Sequence, residues 1–515
     1  YGDLTMKNVW IRFADISGTQ SNGNIRFEDS ELANNSGKGE IGIFEGCIFD
    51  GIGCPPGGSG AVCVMAKHFK GYFTNCYFRN CVDYHYMYYG RALSFPYDVS
   101  GWHTDYVLFE NCTFANMGYV YMQERDCYGD NVHFNHCTFY NVVMFSLEGG
   151  VYYRANITNS LFINAYMLGF RPIDGEDPSG AIISITQRDS IQFGVPFNTD
   201  KDRHILIAHN AYYIEDWLAD WMRGGWEINY SGTKWRPDPR ISTVGSDYSK
   251  AKYKSRYFNE IPVPRPMLDS WTITYCDSVY DDGTGNLVKT YPYINRARNY
   301  DIYNLKISGQ TDTLNPGLIE PPINLGPLKW FINQKWSDNL DTNWSYRPDV
   351  AQNQIWPLPE NLAYTNAILK TAAMGNYPLG DLYHWWPEEY ASWLAQADNE
   401  REKIAYWLET GIHPDSVVGI HETREAVATN FVLHQNYPNP FNPTTTISFS
   451  VPYKAPVSLT IYNTLGQEVA KLVDEVKPAG THQVTFDTQN LPGGIYLYVL
   501  RSAEVSIAKK LALIK

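Results

Sequence analysis

Residues 109–116 read FENCTFAN, and residues 134–141 read FNHCTFYN. The same eight-residue phrase returns as FEDSELAN from Phe27, FEGCIFDG from Phe44, FTNCYFRN from Phe73, ITNSLFIN from Ile157 and, degraded, IAHNAYYI from Ile207. Its first and sixth places are large and apolar. Its fourth is Cys47, Cys76, Cys112 or Cys137, with Ser30, Ser160 and Asn210 in the other copies. Its eighth is usually asparagine: Asn34, Asn80, Asn116, Asn141 and Asn164. Each phrase is too short for a helix and rich in β-formers. The copies are unevenly spaced. A coil of short strands tolerates that, because insertions leave through the turns. In such a coil like residues stack above like. The small fourth residue then lines the interior, and asparagine ladders at a bend, where it accepts a left-handed backbone.

The predicted fold class is therefore mainly β. Over residues 1–215 the pattern resembles the right-handed parallel β-helix of polysaccharide lyases, phage tailspikes and bacterial surface proteins. That resemblance implies a fold and no activity. The cysteines read as one internal stack, Cys47, Cys76, Cys112 and Cys137, with disulfides between rungs as the alternative. Cys54 and Cys63 flank the loop CPPGGSGAVC and are the better disulfide candidates. Cys81, Cys127 and Cys276 complete an odd total of nine, and no CxxC pair suggests zinc.

Residues 216–411 read as an irregular middle region that packs on or caps the β-helix, whose open end would otherwise expose unpaired strand edges. IEDWLADWMRGGW predicts a short helix at about residues 214–223, with Trp217 and Trp221 four apart. YDDGTGNLV from Tyr280 predicts a hairpin turn. PEEYASWLAQADNEREKIAYWLETG predicts one helix over 387–410. Pro387 suits its first turn, Glu388 and Glu389 its positive end, and Gly411 its stop. Tyr390, Leu394, Ala397, Ile404 and Leu408 are expected to share its buried face. The stretches PLPENLAYTN and GNYPLGDLYHW resemble segments of secreted proteins of the Bacteroidetes–Ignavibacteria kind. Residues 412–430 read as a linker.

From residue 431 to the end the chain holds about seven alternating, strand-like runs, with turns at PAG and LPGG, and predicts an immunoglobulin-like β-sandwich. It opens with LHQNYPNPFNP at 433–443, whose prolines deny helix and hold the entry extended. This module resembles the type A C-terminal sorting domain of the type IX secretion system. The resemblance rests on Asn436, Pro438, Asn439, Pro440, Phe441, Asn442 and Pro443, on Tyr462 and Gly466, on Gly480, Gly494 and Tyr496, and on Lys509 and Lys510. It implies handling by the type IX machinery and a location outside a Gram-negative cell or on its surface.

Net charge is −14 with no basic stripe, which argues against nucleic acid as a partner. No apolar run reaches the ~20 residues that span a bilayer. The chain opens at Tyr1 with no secretory apolar segment, as expected of a mature chain or a fragment. Known catalytic motifs are not evident. The loop FRPIDGEDPSG offers Asp174, Glu176 and Asp177, with Arg171, as a candidate calcium site, and Asp277, Asp281 and Asp282 repeat the idea. Solvated loops are the plainer reading of both, and no other cofactor is implied. His133 and His136 read as surface histidines. His85 and His103 lie in aromatic insertions suited to stacking on sugar rings, with packing over the flank of the β-helix as the plainer reading. The expected function is that of a non-catalytic structural or adhesive protein with homotypic contacts, extending to a fibre or surface layer. The alternatives are a calcium-assisted polysaccharide lyase and a glycan-binding protein.

Overall fold

The computed structural model describes residues 3–12, 25–28, 39–51, 53–54, 60–83, 90–95, 103–123, 128–149, 152–169, 181–185, 191–192, 195–196, 203–220, 228–230, 233–235, 265–268, 272, 279–281, 285, 287–289, 293–294, 299–301, 315–322, 325–326, 328–329, 332, 360–414, 431–433, 436, 439, 441–451, 455–463, 466–477, 480–488, 491–502 and 505–513. They divide into two compact units, Tyr1–Ile412 and His413–Lys515.

The first unit is a parallel β-helix. Its first sheet stacks eight strands in the order Leu4–Lys7, Ile41–Glu45, Phe69–Thr74, His103–Glu110, Tyr128–Asn135, Tyr152–Thr158, His204–Ala208 and Tyr293–Ile294. A second eight-stranded sheet runs beside it from Trp10–Arg12 to Asn299–Asp301, and a third holds six strands from Ile25–Glu28 to Ile183–Ile185. The repeat phrase supplies one strand to each of the first two sheets, and the register aligns its copies. Phe44, Phe73, Phe109, Phe134, Ile157 and Ile207 are paired in series. Their rings stack inside, with Phe73 and Phe109 at 4.5 Å and Phe109 and Phe134 at 5.0 Å between centroids. The sixth position builds a second column, from Phe49 over Phe78 at 4.5 Å to Phe139 over Phe162 at 4.4 Å.

One copy differs from the sequence expectation. Phe27 pairs with Val64 in the third sheet, outside the Phe44 column. Its ring reaches Phe69 at 4.7 Å through space left by Gly42, where a Cβ would lie 2.9 Å from that ring. The rung before Phe44 is supplied by Met6. Alternation alone marks a buried strand and does not say which sheet it joins. The parallel ladders also continue past residue 215, through Tyr293–Ile294 and Asn299–Asp301.

Two corners per rung need a left-handed residue. The eighth place of the phrase fills one, with Gly51, Asn80, Asn116, Asn141 and Asn164 at φ between 50° and 66°. Their side chains form a ladder, Asn116 Nδ2 donating to Asn80 Oδ1 at 3.2 Å and Asn164 Nδ2 to Asn141 Oδ1 at 2.9 Å. Asp50 accepts at one end of it, and Glu215 at the other. The third place fills the corner between the first two sheets, with Gly46, Asn75, Asn111, His136, Asn159 and His209.

The predicted single helix over 387–410 is two helices, Pro387–Leu394 and Ala397–Thr410, broken at Ala395 and Gln396. The break turns Leu394 outward, 53% exposed, and buries Trp393 and Trp407 in its stead. Pro387 starts the first, and Gly411, at φ 67°, ends the second. Asp216–Asp220 is the described part of the earlier helix, and Val279–Asp281 pairs with Leu287–Lys289 as a hairpin.

The second unit is a β-sandwich. A three-stranded sheet orders Val432–Leu433, Thr444–Val451 and Gly480–Asp487. A four-stranded sheet orders Glu468–Lys477, Ala455–Tyr462, Gly494–Ser502 and Val505–Leu513, all antiparallel. Ile447, Phe449, Leu459, Phe486, Tyr498 and Leu511 fill the space between them.

Candidate functional site

On the flank of the β-helix, residues 360–412 form a strap along the corner between the first two sheets. The strap meets the corner residue of five successive rungs. His209 Nδ1 lies 2.8 Å from Ala372 O, and Met374 N donates to Asn159 Oδ1 at 2.9 Å. His136 Nε2 lies 3.1 Å from Glu400 Oε1, and Leu382 N donates to Asn111 Oδ1 at 3.3 Å. Asn75 Nδ2 donates to Tyr390 OH at 2.8 Å. Gly380, at φ 88°, passes so close that a Cβ there would lie 2.3 Å from Thr138 Oγ1.

Titratable groups concentrate beneath the strap. Glu400 accepts from Asn135, His136 and Asn159 on one oxygen. Desolvation alone would raise its pKa, but the His136 charge and these donors outweigh it and hold the carboxyl below the usual range. Arg401 makes a two-pronged bond to Glu110, at 3.1 and 2.6 Å. Asp381 accepts from Thr113 at 2.7 Å and caps the Leu382–Trp385 turn through His384 N at 3.1 Å. Arg79 joins Asp50 and Glu360, with Tyr77 donating to Glu360 at 2.9 Å. His136, expected on the surface, is fully buried. The phrase hides this role, because its third place also carries Gly and Asn and has no type of its own.

Beside the strap the outer face of the first sheet carries a group of half-buried side chains. Tyr106 stacks on Tyr72 at 5.2 Å and meets the His133 ring at 5.1 Å, making one aromatic row across three rungs. His68 Nδ1 lies 2.8 Å from Asp105, His103 Nδ1 lies 2.8 Å from Asp130, and Lys70 approaches Asp105 at 3.9 Å. Burial lowers His133 to about 4, partly opposed by its bond to Asn156, and raises Tyr72 and Tyr106. His85 lies outside the described residues.

The four stack cysteines are buried in the interior. Each Sγ donates to a carbonyl of the preceding rung: Cys47 to Met6 at 3.4 Å, Cys76 to Phe44 at 3.4 Å, Cys112 to Phe73 at 3.3 Å and Cys137 to Phe109 at 3.4 Å. Burial pushes the thiols of Cys76, Cys112 and Cys137 up. Cys63 is buried on a third-sheet strand, and Cys81 is buried in the same core. The side chain of Cys54, together with Cys127 and Cys276, lies outside the described residues, as do Arg171, Asp174, Glu176, Asp177, Asp277 and Asp282. Among the described residues no group of three or more His, Cys, Asp or Glu side chains is placed to hold a metal ion.

In the sandwich the motif residues tie the entry segment to the last strands. Asn436 N donates to Tyr498 OH at 3.0 Å, and its Nδ2 to Thr445 Oγ1 at 3.0 Å. Asn439 pairs with the final strand through Ala512 N at 2.9 Å and Lys510 O at 3.4 Å. Phe441 is buried, and its N–H donates to Ala512 O at 2.9 Å. Pro443 O accepts from Thr488 Oγ1 at 2.7 Å. Gly466, at φ 77°, sits in a turn closed by Asn463 and Gln467. Tyr496 OH donates to Pro492 O at 2.7 Å. Tyr462 lies under the Arg501 guanidinium at 5.8 Å. Gly480 and Gly494 open their strands, and Lys509 and Lys510 lie on the final one. Pro438 and Pro440 fall outside the described residues.

A family model, the secretion system C-terminal sorting domain, matches residues 435–515. This module is a type IX sorting domain. It directs the chain to the cell surface or the extracellular space and implies handling by the type IX machinery. No curated protein matches the chain. No described helix is long and apolar enough to cross a membrane. The sorting domain's function-bearing residues were legible because they sit close together in sequence. The strap contacts were not, since Asn75 and Tyr390 or His136 and Glu400 lie hundreds of residues apart.

Proposed function

We propose that the chain is an exported, non-catalytic β-helix protein that works as a structural or adhesive element outside the cell. One observation carries this reading. The buried titratable groups on the flank, Glu110, Glu360, Asp381, His136 and Glu400, are engaged in bonds between rungs and strap. A catalytic acid or base must face a substrate, and these face the fold itself. Self-contact between copies belongs to the same reading.

The test is turnover. Purified full-length protein is incubated with a panel of acidic polysaccharides, with calcium and with chelator, and the absorbance of unsaturated product is followed. The expected result is none. Sustained, calcium-dependent product would refute the proposal and return the chain to the lyases.

Glycan binding without turnover is the second reading. It is favoured by the Tyr72, Tyr106 and His133 row, since aromatic faces suit pyranose rings and the neighbouring His68, Lys70 and Asp105 supply hydrogen-bonding groups. Retention on insoluble polysaccharide that Tyr106→Ala abolishes would support it.

A further inference from the structure

The four sheet edges of the sorting domain are not protected alike. The four-stranded sheet ends on one side in Glu468–Lys477. That strand has two register irregularities and exposed Lys471, Asp474 and Glu475, which are devices that discourage pairing with another chain. On its other side, Asn439 and Phe441 bond to Lys510 and Ala512 and cover the C-terminal part of the Val505–Leu513 edge. The three-stranded sheet ends on one side in the two-residue strand Val432–Leu433.

Its other edge is Gly480–Asp487, eight residues long. Thr444–Val451 pairs along one side of it, and among the described strands none pairs along the other at Gln483–Phe486. The strand has no lysine, arginine, glutamate or proline. Gln483 and Thr485 are exposed, while Val484 is half-buried and Phe486 buried on the core side.

We propose that this edge is a pairing surface for a second copy of the chain. Two copies join antiparallel about a two-fold axis at Val484, merging two three-stranded sheets into one of six. The register is self-complementary. Val484 faces its own mate, Gln483 faces Thr485, and His482 faces Phe486. The strand's one carboxylate, Asp487, falls opposite Thr481, so no like charges meet. The contact is isologous and closes at two copies. This rests on the structural and adhesive reading in naming a homotypic contact. A strictly monomeric protein would overturn the edge proposal and leave the non-catalytic reading standing, whereas turnover would do the reverse.

The experiment is sedimentation equilibrium of the full chain across concentrations. Wild type is expected to show a monomer–dimer equilibrium. The double variant Gln483→Glu, Thr485→Glu places two pairs of carboxylates opposite each other and is expected to weaken the dimer about tenfold. Gln483→Lys with Thr485→Glu places opposite charges there and is expected to restore it. Gln483→Glu alone faces the neutral Thr485 and is expected to leave it unchanged. Both positions are exposed, and circular dichroism checks that each variant folds. A monomer at every concentration refutes the proposal. So does a dimer that the two glutamates leave intact, or one that the lysine–glutamate pair does not restore.

Discussion

Removing the Glu400 carboxylate is the sharpest probe of the strap. Glu400 is 2% exposed, and one of its oxygens accepts from Asn135 at 3.1 Å, His136 at 3.1 Å and Asn159 at 3.4 Å. With Glu400→Ala, Asn135 keeps Glu110 and Asn159 keeps Asn135 as acceptors. His136 Nε2 loses its carboxylate inside a closed interface. Leaving a buried donor unsatisfied and a cavity where the side chain stood costs about 3–5 kcal/mol together. Glu400→Gln keeps an amide oxygen for the same donors and forfeits only charge assistance, so about 1–2 kcal/mol is expected. Hydrogen exchange read by mass spectrometry suits the question, because strap opening is local. Peptides covering Ala397–Thr410 should lose protection about a hundredfold or more in the alanine variant, and about tenfold in the glutamine one. Equal protection in wild type and Glu400→Ala would refute the claim that this carboxylate holds the strap. Equal losses in both variants would refute the hydrogen-bond account.

Further outcomes follow from the same geometry. Gly380→Ala forces a left-handed alanine against Thr138 Oγ1 and displaces the bond from Asp381 N at 2.9 Å; a cost of about 2–4 kcal/mol is expected in chemical denaturation of the first unit. Cys112→Ser keeps a donor for Phe73 O, as Ser160 does within its own rung for Thr158 O, and should cost under about 1 kcal/mol. Cys112→Leu overpacks the column and should cost about 1–3 kcal/mol, read as a lower denaturation midpoint. Acid should weaken the first unit in two windows. His133 falls from 6.5 to about 4 on folding, so the unfolded chain binds the extra proton and stability drops as pH falls from 6.5 to 4, by at most about 3 kcal/mol. Glu409 is held at about 2, first by its bond to His204 and then by Arg154, so its contribution is lost between pH 4.5 and 2. His133→Gln should flatten the upper window of the melting-temperature profile and leave the lower one.

The sequence by itself determined the stacking of the β-helix. Phe109, Cys112, Phe114 and Asn116 recur with a fixed internal spacing, and that spacing dictates which side chain points inward and which turns the corner. It likewise determined the sorting domain, because the entry motif and the strands that receive it lie within one short module. Tertiary structure decided the rest. The uneven insertions conceal which strand joins which sheet, so Met6 takes a place in the first column and Phe27 does not. Helical periodicity showed that residues 387–410 form helix, but not the break at Ala395 and Gln396. That break sets which faces of the two helices meet the β-helix, and it exposes Leu394 while burying Trp393. Above all, the third position of the phrase looked like a variable turn residue. Only when Tyr390, Leu382, Glu400, Met374 and Ala372 arrive from far along the chain does it become a continuous polar seam. A buried polar group declares its role by its partner, and here the partner is remote in sequence.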